Sequence, residues 1–174
     1  MTEDQCVAVR DMGSFHVGGG LVQLAGLPLR ERASTHGGPV RAIDPNGEIA
    51  AGQMYAQYVR LADPRGRVPV LMWHGGGMSG ANWETTPDGR EGWQMLFLRA
   101  GFDVFICDAV ERGRASWAPY PQVYRSEPFF RTAREAWEVT FRFGPVGSWD
   151  ADPARRFTHP GLRFPVGAID QFMK

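Results

Sequence analysis

Long apolar runs are missing from this sequence. No stretch approaches the roughly 18 residues that span a bilayer, and the opening MTEDQCVAVR carries acids where a secretory signal would carry basic residues and then an apolar stretch. The expectation is a chain that stays in the cytoplasm and has no membrane partner. Charge imbalance is missing too: 19 basic residues balance 19 acidic ones, so nothing attracts nucleic acid or an anionic surface. Cysteine is scarce. Cys6 and Cys107 allow one bridge at most, and Cys107 closes an apolar run where a reduced thiol packs as a small hydrophobe, so both are expected to be free. His16, His36 and His159 share no spacing with cysteines or carboxylates that suggests metal ligation. They are read as surface residues, with no metal and no cofactor.

Several signatures of chemistry are absent as well. The glycines of LMWHGGGMSG (71–80) are contiguous rather than spaced as G-x-G-x-x-G, and no G-K-S or G-K-T follows, which excludes the usual nucleotide cradles. The serine elbow G-x-S-x-G is missing: GMSGA around Ser79 fails at its fifth position, and Ser116, Ser126 and Ser148 have no such frame. The histidine that follows these serines is His159, in FTHPG, and Cys107 has no elbow either.

What is present is a turn-rich chain, with 22 glycines and 13 prolines among 174 residues. FHVGGGLVQL (15–24) and EIAAGQMYAQYVRL (48–61) have strand-like spacing, separated by the turn signals Pro28, HGGP and DPNG. They predict antiparallel strands at a sheet edge. VPVLMW (68–73) and FDVFIC (102–107) are short and almost continuously apolar, as in strands covered on both faces. Between them EGWQMLFLRAGF places Trp93, Leu96, Phe97 and Ala100 on one helical face, with Gly101 as the stop. Strand, glycine loop, helix and strand make a right-handed βαβ unit, hence an α/β sheet within one domain.

In open α/β sheets ligands gather at the carboxyl ends of the strands, where HGGG falls. Two readings stay open. Glycines there let main-chain amides approach a substrate and face developing negative charge, as in an oxyanion hole. They also make a plain tight turn, in which His74 bonds a nearby carbonyl.

The stretch WHGGGMSGANWETTPDGREGWQMLFLRAGFDVFICDAVERGRASW (73–117) resembles a bacterial esterase branch of the α/β-hydrolase superfamily. In that branch a strand ends in H-G, a WETTPDGR-GW segment leads into the first helix, and the next strand ends in Asp before an RGR turn. FRFGP (141–145) and FPVGAIDQF (164–172) extend the likeness weakly. The resemblance implies a serine esterase acting on a small-molecule ester, with the oxyanion hole at Gly76 and Gly77 and loop support from His74, Gly75, Asp108 and Arg112. Trp83 and Trp117 are the pocket residues it suggests, although aromatics such as Trp73 and Trp93 also simply fill cores.

The triad of that family follows the oxyanion loop, and no nucleophile, acid and histidine can be assigned in this chain. The expected organisation is therefore the N-terminal part of a single α/β-hydrolase domain, 1–174. Antiparallel edge strands fall over 1–67, the βαβ unit with its oxyanion loop over 68–117, and the start of a cap or approach segment over 118–174. Such a sheet is incomplete, lacking its C-terminal strands, and VPVLMW becomes an open apolar edge. A second chain or a missing C-terminal part is then a partner, and oligomers are possible. The alternative is a non-catalytic α/β module that binds a partner or a small carbonyl ligand through the same loop.

Overall fold

The computed structural model describes residues 6–115, 117–127 and 130–172. Two long strands, β1 (Val9–Leu24) and β4 (Gly47–Leu61), pair antiparallel from Val9↔Leu61 to Leu24↔Gly47. The chain between them makes the exposed hairpin β2 (Arg30–Ala33) and β3 (Val40–Ile43). Its turn is the STHGGP stretch, closed by Gly38 N–H donating to the Thr35 carbonyl.

β5 (Val70–Trp73) and β6 (Val104–Asp108) are parallel to each other. β6 also pairs antiparallel with β4 over Tyr55–Val59, so the sheet order is β1-β4-β6-β5. The strands are thus of both senses, and the fold is of the α/β type. Val59, Leu61, Met72, Val104 and Ile106 join Leu98 of helix α2 (Trp93–Arg99) in the main core. Each fully buried aliphatic side chain there contributes about 1.5–3 kcal/mol.

Three local expectations need correction. β4 is not an edge strand, because β6 pairs with its C-terminal half. β5 is not covered on both faces: Met72 is buried while Leu71 and Trp73 are 63% and 50% exposed. The two-residue period of a strand puts these neighbours on the opposite face, and a groove along the strand is shared with Trp83, Trp93 and Phe97. The helix keeps only part of its expected face, Phe97, against the core. Leu98 enters the core, and Trp93 and Leu96 stand about half exposed. Gly101, at φ +91°, ends this helix as expected.

Residues beyond β6 hold a second, aromatic core of Trp137, Phe143 and Ile169, with Phe141, Phe164 and Phe172 packed on it. It is built on the short helix α3 (Ala133–Glu135), which runs into a wider turn at Ala136–Thr140, and on single 3-10 turns. Thr132 caps α3 by accepting the Glu135 N–H. The buried Trp137 indole N–H donates to Ser148 Oγ at 2.9 Å.

Candidate functional site

The WETTPDGREGW stretch closes on itself. Helix α1 (Ala81–Glu84) leads into a turn where Pro87 and Asp88 sit between Thr86 and Gly89, with Gly89 N–H donating to the Thr86 carbonyl at 2.9 Å. Thr86 N–H donates to the Arg90 carbonyl, and the Asp88 carboxylate takes both the Thr86 hydroxyl and Arg90 Nε. These bonds brace the approach to α2.

The glycine loop follows β5 directly. His74 is 7% exposed, and its Nε2 accepts the Ala109 N–H at 3.0 Å. That bond leaves the proton on Nδ1, which donates to the Gly75 carbonyl at 2.8 Å. One ring therefore ties the loop after β5 to the loop after β6. Met78 N–H returns to the Gly75 carbonyl at 3.3 Å, closing a turn over Gly76 and Gly77. Gly77 sits at φ +77°, where a side chain would be strained. Among the described residues, the amides of Gly76 and Gly77 have no internal acceptor.

The far side of the loop is anchored by Asp108, which has no exposed surface. Its Oδ1 accepts Gly80 N–H at 2.5 Å, and its Oδ2 accepts the Arg114 backbone N–H at 2.9 Å and Arg114 Nε at 2.8 Å. Burial alone would raise this carboxyl, but the Arg114 side-chain bond, the Arg114 and Gly80 amides and the Arg114 charge outweigh it. Together they hold Asp108 below the ordinary carboxylate value. The chain turns tightly enough there that a Cβ at Gly113 would meet the Asp108 carboxyl carbon at 2.6 Å. Burial works against the Arg114 charge as well, yet the bond to Asp108 raises it overall. Arg114 also reaches Glu84 at 3.0 Å and Gln57 at 2.8 Å.

The guanidinium on Asp108 is therefore that of Arg114, and Arg112 lies elsewhere. Arg112 lines a cavity of about 290 Å³ with Gly76, Gly77, Met78, Phe141 and Phe172. A larger cavity, about 550 Å³, runs between the 79–96 segment and Phe164, Gln171 and Phe172, without Gly76 or Gly77 in its wall. Neither suggested pocket tryptophan faces the glycine loop cavity. Trp83 packs against the main core and lines the groove beside β5, and Trp117 is 80% exposed, too open to form a pocket wall.

Ser79 borders the larger cavity, and its carbonyl accepts Asn82 N–H. Ser126 is exposed, and Ser148 is buried under the Trp137 indole. None of the three bonds a histidine; Ser116 lies outside the described residues. His16, His36 and His159 are exposed. Cys6 and Cys107 are free, and burial, with the Asp108 charge, pushes the Cys107 thiol up. No group of metal-ligating side chains and no helix long and apolar enough to cross a membrane occurs among the described residues.

No family model matches the chain. A curated relative, "Probable secreted lipase phiG" of Fungal sp. (strain ATCC 74256), is 44% identical over 103 residues, covering 53% of this chain and 28% of that protein. A solved structure, "The Atomic Resolution Structure of a Novel Bacterial Esterase", aligns with 99% of this chain and 51% of its own at 30% identity and a TM-score of 0.72. The chain thus spans about half the length of that esterase and less than a third of the lipase. The esterase likeness agrees with an α/β fold, and the two names support a hydrolase family. The expectation of a cytoplasmic protein is overturned, since the curated relative is named a secreted one.

Proposed function

We propose that the complete protein hydrolyses carboxylic esters by serine acylation and deacylation, and that residues 1–174 supply its oxyanion loop and none of its triad. One observation carries this reading: the amides of Gly76 and Gly77, with no internal acceptor among the described residues, border a cavity at the carboxyl end of β5. The loop beneath them is fixed by His74 on one side and Asp108 on the other. Nucleophile, acid and histidine would come from outside this stretch, in line with the 51% of the esterase that the chain covers. The partner is then a small-molecule ester, together with the protein that carries the later strands.

The test is labelling by a fluorophosphonate, which acylation-competent serines capture. The chain alone should stay unlabelled, and supplying the C-terminal part of a related esterase should restore both labelling and p-nitrophenyl acetate hydrolysis. Labelling of the chain alone would show that it holds its own nucleophile. A soluble, paired complex that never labels would remove the hydrolase reading.

A further inference from the structure

The wall of the cavity beside Gly76 and Gly77 carries positive charge with no carboxylate in it. Arg131 belongs to that wall and is bonded by Glu135. Arg112 differs. Its guanidinium is charged at every working pH, and among the described residues it has no ion-pair partner, whereas Arg90, Arg99 and Arg114 are each paired. Around this exposed guanidinium stand the half-buried Phe141 and Phe172, with Phe130 open at the rim. A guanidinium in such a place suits a planar anion held by two parallel N–H bonds.

We propose that this site selects esters that also carry a carboxylate, with half-esters of short dicarboxylic acids as the simplest class. The free carboxylate rests on Arg112, and the ester carbonyl faces Gly76 and Gly77. The inference rests on the ester reading above and adds the charge of the substrate to it. A volume of about 290 Å³ fits a short linker between the two groups and excludes a long acyl chain.

The experiment is ligand-observed saturation-transfer NMR on the 174-residue chain, which tolerates self-association, with monomethyl glutarate and dimethyl glutarate as probes. The half-ester should bind about tenfold more tightly than the neutral diester at low salt. Arg112→Gln should bring that ratio to about one, and Arg112→Lys should keep part of it. Gly76 faces open space and has an ordinary φ, so Gly76→Phe should fold, fill the cavity and abolish binding of both probes. Equal binding of the two probes, or a preference that survives Arg112→Gln, overturns the charge selection and leaves the ester reading standing. Failure of both probes to bind, or binding indifferent to Gly76→Phe, overturns this binding site, whereas the ester reading falls only if the paired complex never takes the fluorophosphonate label.

Discussion

Replacing Asp108 with asparagine tests the anchor on which the loop depends. The carboxylate has donors on both oxygens: Gly80 N–H on Oδ1, and Arg114 N–H with Nε on Oδ2. Asparagine offers one acceptor and one donor in the same space. Its better orientation keeps the oxygen on the two Arg114 donors and turns the NH₂ against the buried Gly80 N–H, donor to donor. The buried Gly80 amide then goes unsatisfied, at about 1–3 kcal/mol, and one charge-assisted bond is lost. Arg114 is not stranded, since Glu84 and Gln57 still hold it, so the total falls below the upper range for a broken buried pair. The expected cost is about 2–4 kcal/mol, or roughly 4–16 °C in Tm for a domain of this size. Urea melts followed by tryptophan fluorescence, with unchanged m, would measure it. The pH dependence has a fixed sign. Because folding lowers the Asp108 value, its stabilisation is complete above the ordinary carboxyl value near about 4 and disappears as pH falls through the lower folded value. The gap between wild type and Asp108→Asn should therefore close in acid. A cost within about 0.5 kcal/mol at pH 7, or a gap that widens in acid, would refute the reasoning.

Gly77→Ala should cost about 1–2 kcal/mol because φ is +77° there, while Gly76→Ala, with an ordinary φ and open space, should stay within about 0.5 in the same melts. In the protein that carries the nucleophile, Gly76→Pro removes an amide donor and should lower kcat on the order of 10²–10³-fold, with unchanged turnover returning HGGG to a plain turn. Ser148→Ala orphans the indole N–H of the buried Trp137 and should destabilise the aromatic core by about 1–3 kcal/mol, read from near-UV circular dichroism on heating. β5 ends the sheet with Leu71 and Trp73 exposed, so the chain should associate with rising concentration on sizing, and Leu71→Lys should raise its monomer fraction and soluble yield.

That lysine shows what the sequence conceals. An apolar run such as VPVLMW marks a strand, but whether the second face is covered depends on elements far along the chain; Leu71 proves exposed, and a charge there need not enter the core. The same holds for Trp93 and Leu96, whose helical spacing announces a stripe without saying what meets it. β2 and β3 left no apolar pattern because all eight of their residues are exposed, and only the HGGP turn marked the hairpin. The glycine loop at a strand end was readable from local order, as were β6 and the Gly101 stop. Arg114 rather than Arg112 bonds Asp108, and Arg112 lines the cavity beside Gly76 and Gly77, because Glu111 and Gly113 both take positive φ. Two such residues around one position send Arg112 and Arg114 in directions that residue counting does not give. The cavity wall supplied by Phe130, Phe141 and Phe172 comes from residues more than 50 positions beyond the loop, with no shared spacing to betray it.

The two anchors tie down the loop on either side of its free donors. β5 and β6 are adjacent and parallel, so their carboxyl ends deliver two loops to one side of the sheet. His74 joins these loops from the β5 side, through Ala109 N–H, and Asp108 joins them from the β6 side, through Gly80 N–H. Each bond crosses between the same two loops in the opposite direction, and both bracket residues 75–79. Within the bracket, the Met78 N–H is taken by the Gly75 carbonyl, and the amides of Gly76 and Gly77, at the tip of that turn, are among those that remain for an outside acceptor. In the proposed oxyanion role, a donor pair held this way would need no reorganisation when negative charge develops on a substrate oxygen, and that is the condition under which such donors lower a barrier rather than merely bind. A plain turn would need neither anchor, since its own Met78 to Gly75 bond already closes it.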